Sequence, residues 1–253
     1  MRLIQLLCLC HFTVFPFGKP LAQEINIIVK EAVRLEAIPN EKSALYKFKE
    51  ALKIQPANLY ALTKCSELSS RIAGRELNPK SRDSYNQAAI IYAKTAIRLH
   101  PGSDEANVAM AIAVGRTMLK KSGREKLAIA KEIKQYADLA LKINPFNFKA
   151  WHVLGKWNYE VANLSSLERG WAKIFFGNVP DGSLKNSITA YEKARSINPN
   201  FALNYLELAR SYQKNNNKQK AIALLKTMLP LPVQTEDDPR IKKDALSLLK
   251  SWE

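Results

Sequence analysis

The stretch "ADLALKINPFNFKAWHVLGKW" (Ala137–Trp157) decides the fold, because its pattern recurs three more times along the chain. The other copies are "FKEALKIQPANLYALTKCSEL" (Phe48–Leu68), "AKTAIRLHPGSDEANVAMAIA" (Ala93–Ala113) and "YEKARSINPNFALNYLELARS" (Tyr191–Ser211). In each, an alanine (Ala51, Ala96, Ala140, Ala194) lies five residues before a proline (Pro56, Pro101, Pro145, Pro199). An aliphatic residue stands two before that proline. Proline cannot continue a helix and disfavours helical geometry in the residue before it, so each copy reads as a helix end, a turn and a new helix. The alanine lets the next helix approach closely. After the proline, Ala61-Leu62, Ala106-Asn107, Ala150-Trp151 and Asn204-Tyr205 open a stripe that continues through Cys65, Met110, Leu154 and Leu208. Small residues follow it at Ser66, Ala111, Gly155 and Ala209.

Repetition at this scale predicts a solenoid, and the W-x-x-L-G-x-W-x-Y character of the third copy matches the first helix of a tetratricopeptide repeat. The predicted fold class is all-α, a right-handed α-α superhelix of tetratricopeptide-like type. The prolines are 45, 44 and 54 residues apart, longer than the roughly 34 residues of a standard copy, so elongated helices or insertions are required. Apolar spacing and turn residues place helices near 24–37, 41–54, 58–73, 83–99, 103–120, 124–143, 147–163, 165–177, 183–197, 201–214, 217–229 and 237–251. No segment alternates with period two, and no Gly/Ser linker divides residues 23–253, which read as one repeat domain.

The N-terminus, "MRLIQLLCLCHFTVFPFGKPLAQE", sets Arg2 before an apolar run from Leu3 to Phe17 and then a polar stretch ending at Ala22-Gln23. That layout predicts a signal peptide over residues 1–22 and an exported chain of the periplasm or cell envelope. The alternative is a retained N-terminal anchor, since Lys19 and Pro20 suit cleavage poorly. Cys8 and Cys10 follow no lipidation box. Cleavage leaves Cys65 as the only cysteine, so no internal disulfide is expected.

The 253 residues carry 39 basic and 23 acidic side chains, a net charge of +16, which falls to +14 without Arg2 and Lys19. Such a surplus favours anionic partners of any kind. Nucleic acid is disfavoured, because the basic runs Leu119–Lys126 and Arg240–Lys243 lack interleaved aromatics for base stacking. Enzyme chemistry finds no G-x-S-x-G turn, phosphate loop, dinucleotide fingerprint or H-E-x-x-H helix, and the three histidines are scattered. The chain therefore reads as a non-enzymatic binder without a cofactor.

Solenoids of this kind bind extended ligands on their concave surface. Repeat register points Thr63 and Glu67, Val108 and Ile112, His152 and Lys156, and Leu206 and Arg210 toward it. Lys156 and Arg210, with Arg116 and Lys214 nearby, are the candidates to contact an acidic protein or peptide segment. Trp151, Leu154 and Gly155 read as repeat core. Trp157, Tyr159 and Trp171 fit the narrow stripe less well and are the candidates for a lipid or other small apolar ligand, against the alternative of packing on the 165–177 insert. That insert is amphipathic through Leu167, Trp171, Ile174 and Phe175. Its apolar face is expected to dock on the solenoid, with a membrane surface as the alternative.

Residues Ala150–Tyr212 carry a more specific signature. Trp151 to Ala162 runs W-x-x-L-G-x-W-x-Y-E-V-A, Asn163 to Arg169 runs N-L-S-x-L-E-R, Phe176–Pro180 is an F-G-x-x-P loop and Asn204–Ala209 is N-Y-L-E-L-A. This block resembles the regulator of microtubule dynamics family, including its bacterial members. The resemblance implies a tetratricopeptide-like helical fold and a binding role; in animals the family is associated with microtubules and organelle contacts. It departs at Ser166, where that turn often has Trp, and Trp171 is the aromatic available to fill the same space. An export signal would separate the chain from tubulin.

Overall fold

The computed structural model describes residues 21–117, 123–176 and 182–253. Residues 1–20 of the expected leader lie outside them, as do 177–181, with most of the F-G-x-x-P loop, and 118–122, with part of the first basic run. The described residues form twelve helices and no strand: α1 Leu21–Ala37, α2 Glu41–Ile54, α3 Leu59–Arg75, α4 Pro79–Leu99, α5 Asp104–Thr117, α6 Gly123–Ile143, α7 Phe148–Ala162, α8 Ser166–Phe176, α9 Leu184–Ile197, α10 Ala202–Lys214, α11 Lys218–Met228 and α12 Asp238–Trp252.

Each repeat junction is built as the sequence pattern requires. The residue before the proline donates its N–H to the carbonyl of the repeat alanine: Gln55 to Ala51 and His100 to Ala96 at 2.8 Å, Asn144 to Ala140 at 2.8 Å, Asn198 to Ala194 at 2.9 Å. All four alanines are fully buried. Asparagines then start several of the next helices; Asn58 Oδ1 accepts from Ala61 N at 2.9 Å and Asn147 Oδ1 from Ala150 N at 3.0 Å. Each such cap satisfies an N–H that the first helical turn leaves without an internal partner. At α4 the helix begins at Pro79 rather than at 83, because Asn78 caps Lys80 and Ser81 and proline fits the first helical position.

The helices pack as hairpins, α1 on α2, α3 on α4, α5 on α6, α7 on α9 and α10 on α11. The first helices of successive pairs also touch, α3 with α5, α5 with α7, α7 with α10 and α10 with α12. They thus line the inner side of an α-α superhelix. The stripe read from the repeats is its core: Ala61, Ala106, Ala150, Asn204, Cys65, Met110, Leu154 and Leu208 are all buried. Trp151, expected in that core, is only half-buried, with its Nε1 donating to Pro145 O at 2.8 Å. The small residues after the stripe admit neighbouring groups. Ser66 Oγ donates to Ala89 O at 2.9 Å, and Gly155 lies under the buried Tyr191 ring.

A Cβ on Gly155 would stand 2.6–2.7 Å from three carbons of that ring. Tyr191 has no room to withdraw, so Gly155→Ala is expected to cost about 1–3 kcal/mol. Urea unfolding should show a lower midpoint with an unchanged slope.

Candidate functional site

The inner face is lined by charge, yet its cations already have partners. Glu67 of α3 reaches Lys149 of α7 at 2.8 Å, across α5, and Lys149 also meets Glu105 at 3.5 Å. Burial pushes the Glu67 carboxyl up, but Lys149, Arg71 and Lys64 outweigh it and hold the group well below the usual carboxylate range. In the C-terminal half the buried Glu207 sits between Lys156 at 3.2 Å and Arg210 at 2.9 Å, and Lys156 also meets Glu160 at 3.0 Å. The expected basic groove is therefore an alternating ionic lattice. Its stability contribution is in geometry more than in energy, because burying paired charges offsets much of their attraction.

Several of the residues assigned to the open groove by register are buried instead. Thr63, Val108 and Leu206 are closed off, Thr63 Oγ1 donating to the carbonyls of Leu59 and Tyr60. His152 packs on Tyr191 and Phe201, ring centroids 5.2 and 4.9 Å away. Its Nδ1 lies 3.0 Å from Asn204 Oδ1, and Asn204 Nδ2 donates to Tyr191 O at 2.9 Å. Neighbouring helices close these positions: Val108 packs with Ala140 and Ala150, and Leu206 lies in the C-terminal core cluster.

Of the candidate residues, Tyr159, Arg210 and Lys214 come together. With Gln213, Asn216 and Trp252 they line a depression of ≈ 440 Å³ at the ends of α7, α10 and α12. The Nζ of Lys156 stands 5.7 Å from the centroid of the Tyr159 ring. Lys214 is exposed and makes no ion pair among the described residues. Gln213 Oε1 is buried and lacks a hydrogen-bond partner among them. Asn216 takes a left-handed backbone (φ 57), which turns the chain under the depression. Two rings and one ammonium without an ion-pair partner among the described residues can hold an extended peptide by stacking and polar contacts.

Arg116 lies elsewhere, against α3, where the missing side chain of Gly74 gives its guanidinium room. Trp157 does not face a ligand. Its indole is 6 % exposed, donates Nε1–H to Ala130 O at 2.8 Å and fills the space between α6 and α7. Trp171 sits on α8 at 39 % exposure. On α8 Ala172 is fully buried, while Leu167 (71 %) and Ile174 (75 %) face outward, so these two residues of the apolar stripe are not turned onto the solenoid as expected; the side chain of Phe175 lies outside the described residues. What the N-L-S-x-L-E-R segment builds is the α7–α8 junction. Ser165 and Glu168 form a reciprocal capping box (2.9 and 3.2 Å), and Arg169 Nη2 donates to Ala162 O at 3.1 Å at the end of α7. Among the described residues no group of three or more potential ligands could hold a metal ion, and no helix is long and apolar enough to cross a membrane.

Hairpin pairs stacked around an ion-paired inner face define a tetratricopeptide-like solenoid. A thermophilic tetratricopeptide protein of Thermus thermophilus has the same fold, with a TM-score of 0.62 over 88% of this chain and 99% of that one at 16% identity. The family model for Regulator of microtubule dynamics protein 1-3 matches residues 28–253, and the chain belongs to that family. Its relatives include Regulator of microtubule dynamics protein 1 of Mus musculus, 28% identical over 88% of this chain and 76% of the relative. The Bos taurus protein is 29% identical over 77% of this chain and 61% of its own length, and the Caenorhabditis elegans protein 28% identical over 74% and 80%.

Sequence reasoning missed Gln213, Asn216 and Trp252, which stand outside the repeat stripe and meet only through the superhelical turn. Burial holds the His152 pKa below the ordinary histidine value of about 6.5. The folded state therefore binds fewer protons than the unfolded chain, and the stability this confers, full above about pH 6.5, is lost as pH falls. Urea midpoints measured between about pH 7.5 and 5 should decline, and His152→Gln should flatten that decline.

Proposed function

We propose that the chain is a non-enzymatic scaffold that binds an extended segment of a partner protein, with the depression at Tyr159, Arg210, Gln213, Lys214, Asn216 and Trp252 as its docking point. The observation that carries this is the exposed Lys214, without an ion-pair partner among the described residues, beside Tyr159 and Trp252 in one depression, where an acidic side chain and its flanking chain would lie. The fold and the family support a binding role.

The N-terminal layout supports an exported location, in the periplasm or cell envelope, with cleavage near Ala22. The names of the relatives connect them to microtubules; for an exported chain the partner is instead an envelope protein. Intact-mass measurement of the protein from its native source should show the loss of residues 1–22. Retention of Met1 would point to the N-terminal anchor.

For the docking point, envelope extracts passed over immobilised protein should yield partners whose recovery falls at least tenfold, about 1.4 kcal/mol, with Lys214→Glu or Tyr159→Ala. Lys94→Glu on the exposed face of α4 should leave it unchanged. Equal recovery from all of these would end the reading.

A further inference from the structure

The superhelix is closed across its ends by a contact 195 residues apart in sequence. The segment between α11 and α12, "LPVQTEDD" (Leu231–Asp238), brings Glu236 and Asp237 onto the start of α2 and the end of α3. Glu41 N, at the first position of α2, donates to Glu236 Oε1 at 2.7 Å, and Glu236 N donates to Glu41 Oε1 at 3.3 Å. Arg75 is the centre: its Nη2 lies 2.5 Å from Glu41 Oε2 and 3.1 Å from Glu236 Oε2, and its Nη1 donates to Asp237 Oδ2 at 3.0 Å. Asp238 shapes the visiting turn by accepting from Gln234 N, Thr235 N and Thr235 Oγ1 at 2.7–2.9 Å.

These contacts read an acidic dipeptide. A helix N-terminal N–H and an arginine receive the first carboxylate, the other side of the same guanidinium receives the second, and the buried Glu41 accepts the backbone N–H of the first acidic residue. Charge-assisted pairs of this geometry are selective for acid side chains. The described hydrogen bonds and ion pairs from Glu236 and Asp237 to α2 and α3 all run through Glu41 and Arg75, whereas Leu229 and Leu231 pack back on α10–α12. Polar contacts to a partly exposed segment can be exchanged for equivalent ones from another chain without opening a core. A further cation waits beside them. The Arg116 guanidinium lies on Gly74, 3.0 Å from where a Cβ would be, and makes no ion pair with a carboxylate among the described residues. Burial lowers its pKa, with Arg75 and Arg240 as like-charged neighbours and Asp237 as the nearby opposing charge.

We infer that the α2–α3 junction is a binding site for an acidic segment of a partner protein, containing adjacent Glu and Asp residues, and that the chain's own Glu236–Asp237 occupies it until such a segment replaces them. The added carboxylate density of a partner would engage Arg116, which the internal turn leaves without one. The site is independent of the depression at Tyr159: it lies at the start of α12, and Trp252 at the end of that helix.

The test uses the full chain and a fluorescein-labelled peptide of residues 232–240, PVQTEDDPR, with PVQTQNNPR as the neutral control, read by fluorescence anisotropy. An internal occupant lowers apparent affinity by the fraction of time it is bound, so a Glu236→Gln, Asp237→Asn double variant should bind the acidic peptide at least ~10-fold more tightly than the unaltered chain. Arg75→Ala or Arg116→Ala on that background should abolish the gain. The neutral peptide should not bind, and affinity should fall as salt rises. Asp238→Asn, which loosens the turn while leaving Glu236 and Asp237 in place, should raise affinity by a smaller factor; it decides the matter if the double variant does not fold. Equal affinity of the unaltered chain and these variants, or binding indifferent to Arg75, would overturn the inference. Loss of function at Lys214 leaves this experiment unaffected.

Discussion

The structure depends on one hydrogen bond made four times: the N–H of the residue before each turn proline donating to the carbonyl of a buried alanine. Proline has no N–H to continue the ladder, so this is the last bond of its helix, and the alanine that accepts it has no side chain beyond Cβ to hold the next helix away. The chain therefore turns at a fixed point and the new helix lies close against the old one. Repeating the device converts a local chain reversal into a superhelix, and the superhelix decides which side chains can meet.

The fold was legible because this device is local. Ala-x4-Pro and the stripe behind it lie within about twenty residues, and the asparagine caps fall where turn chemistry places them. Gly155 was legible as a close-approach residue, although Tyr191 as the ring that needs it was not. The inner face was harder to read. Register assigned Lys156 and Arg210 to it; the Arg210–Glu207 pair is local, three residues apart on α10, but the Lys156–Glu207 pair needs α7 beside α10, and the meeting of Glu67 with Lys149 spans an intervening helix. The aromatic cluster divided for the same reason. Trp157 went to the core because α6 passes close enough to offer a carbonyl, Tyr159 went to the depression, and Trp171 stands half-exposed on α8.

A neutral lattice on the inner wall changes how the +16 charge should be understood. On the inner face Lys149, Lys156 and Arg210 are each paired with a carboxylate, so their charge does not act there as an unopposed attractive field.

The bridge between Glu41, Arg75 and Glu236 has a consequence for how the molecule comes apart. An open stack of repeats behaves as a one-dimensional chain in which either end frays independently of the other. Joining the ends gives that chain a closed boundary: the first and last hairpins share one fate, and neither can peel away without breaking the same guanidinium contacts. The topology thereby trades the graded unravelling of a solenoid for the concerted behaviour of a ring.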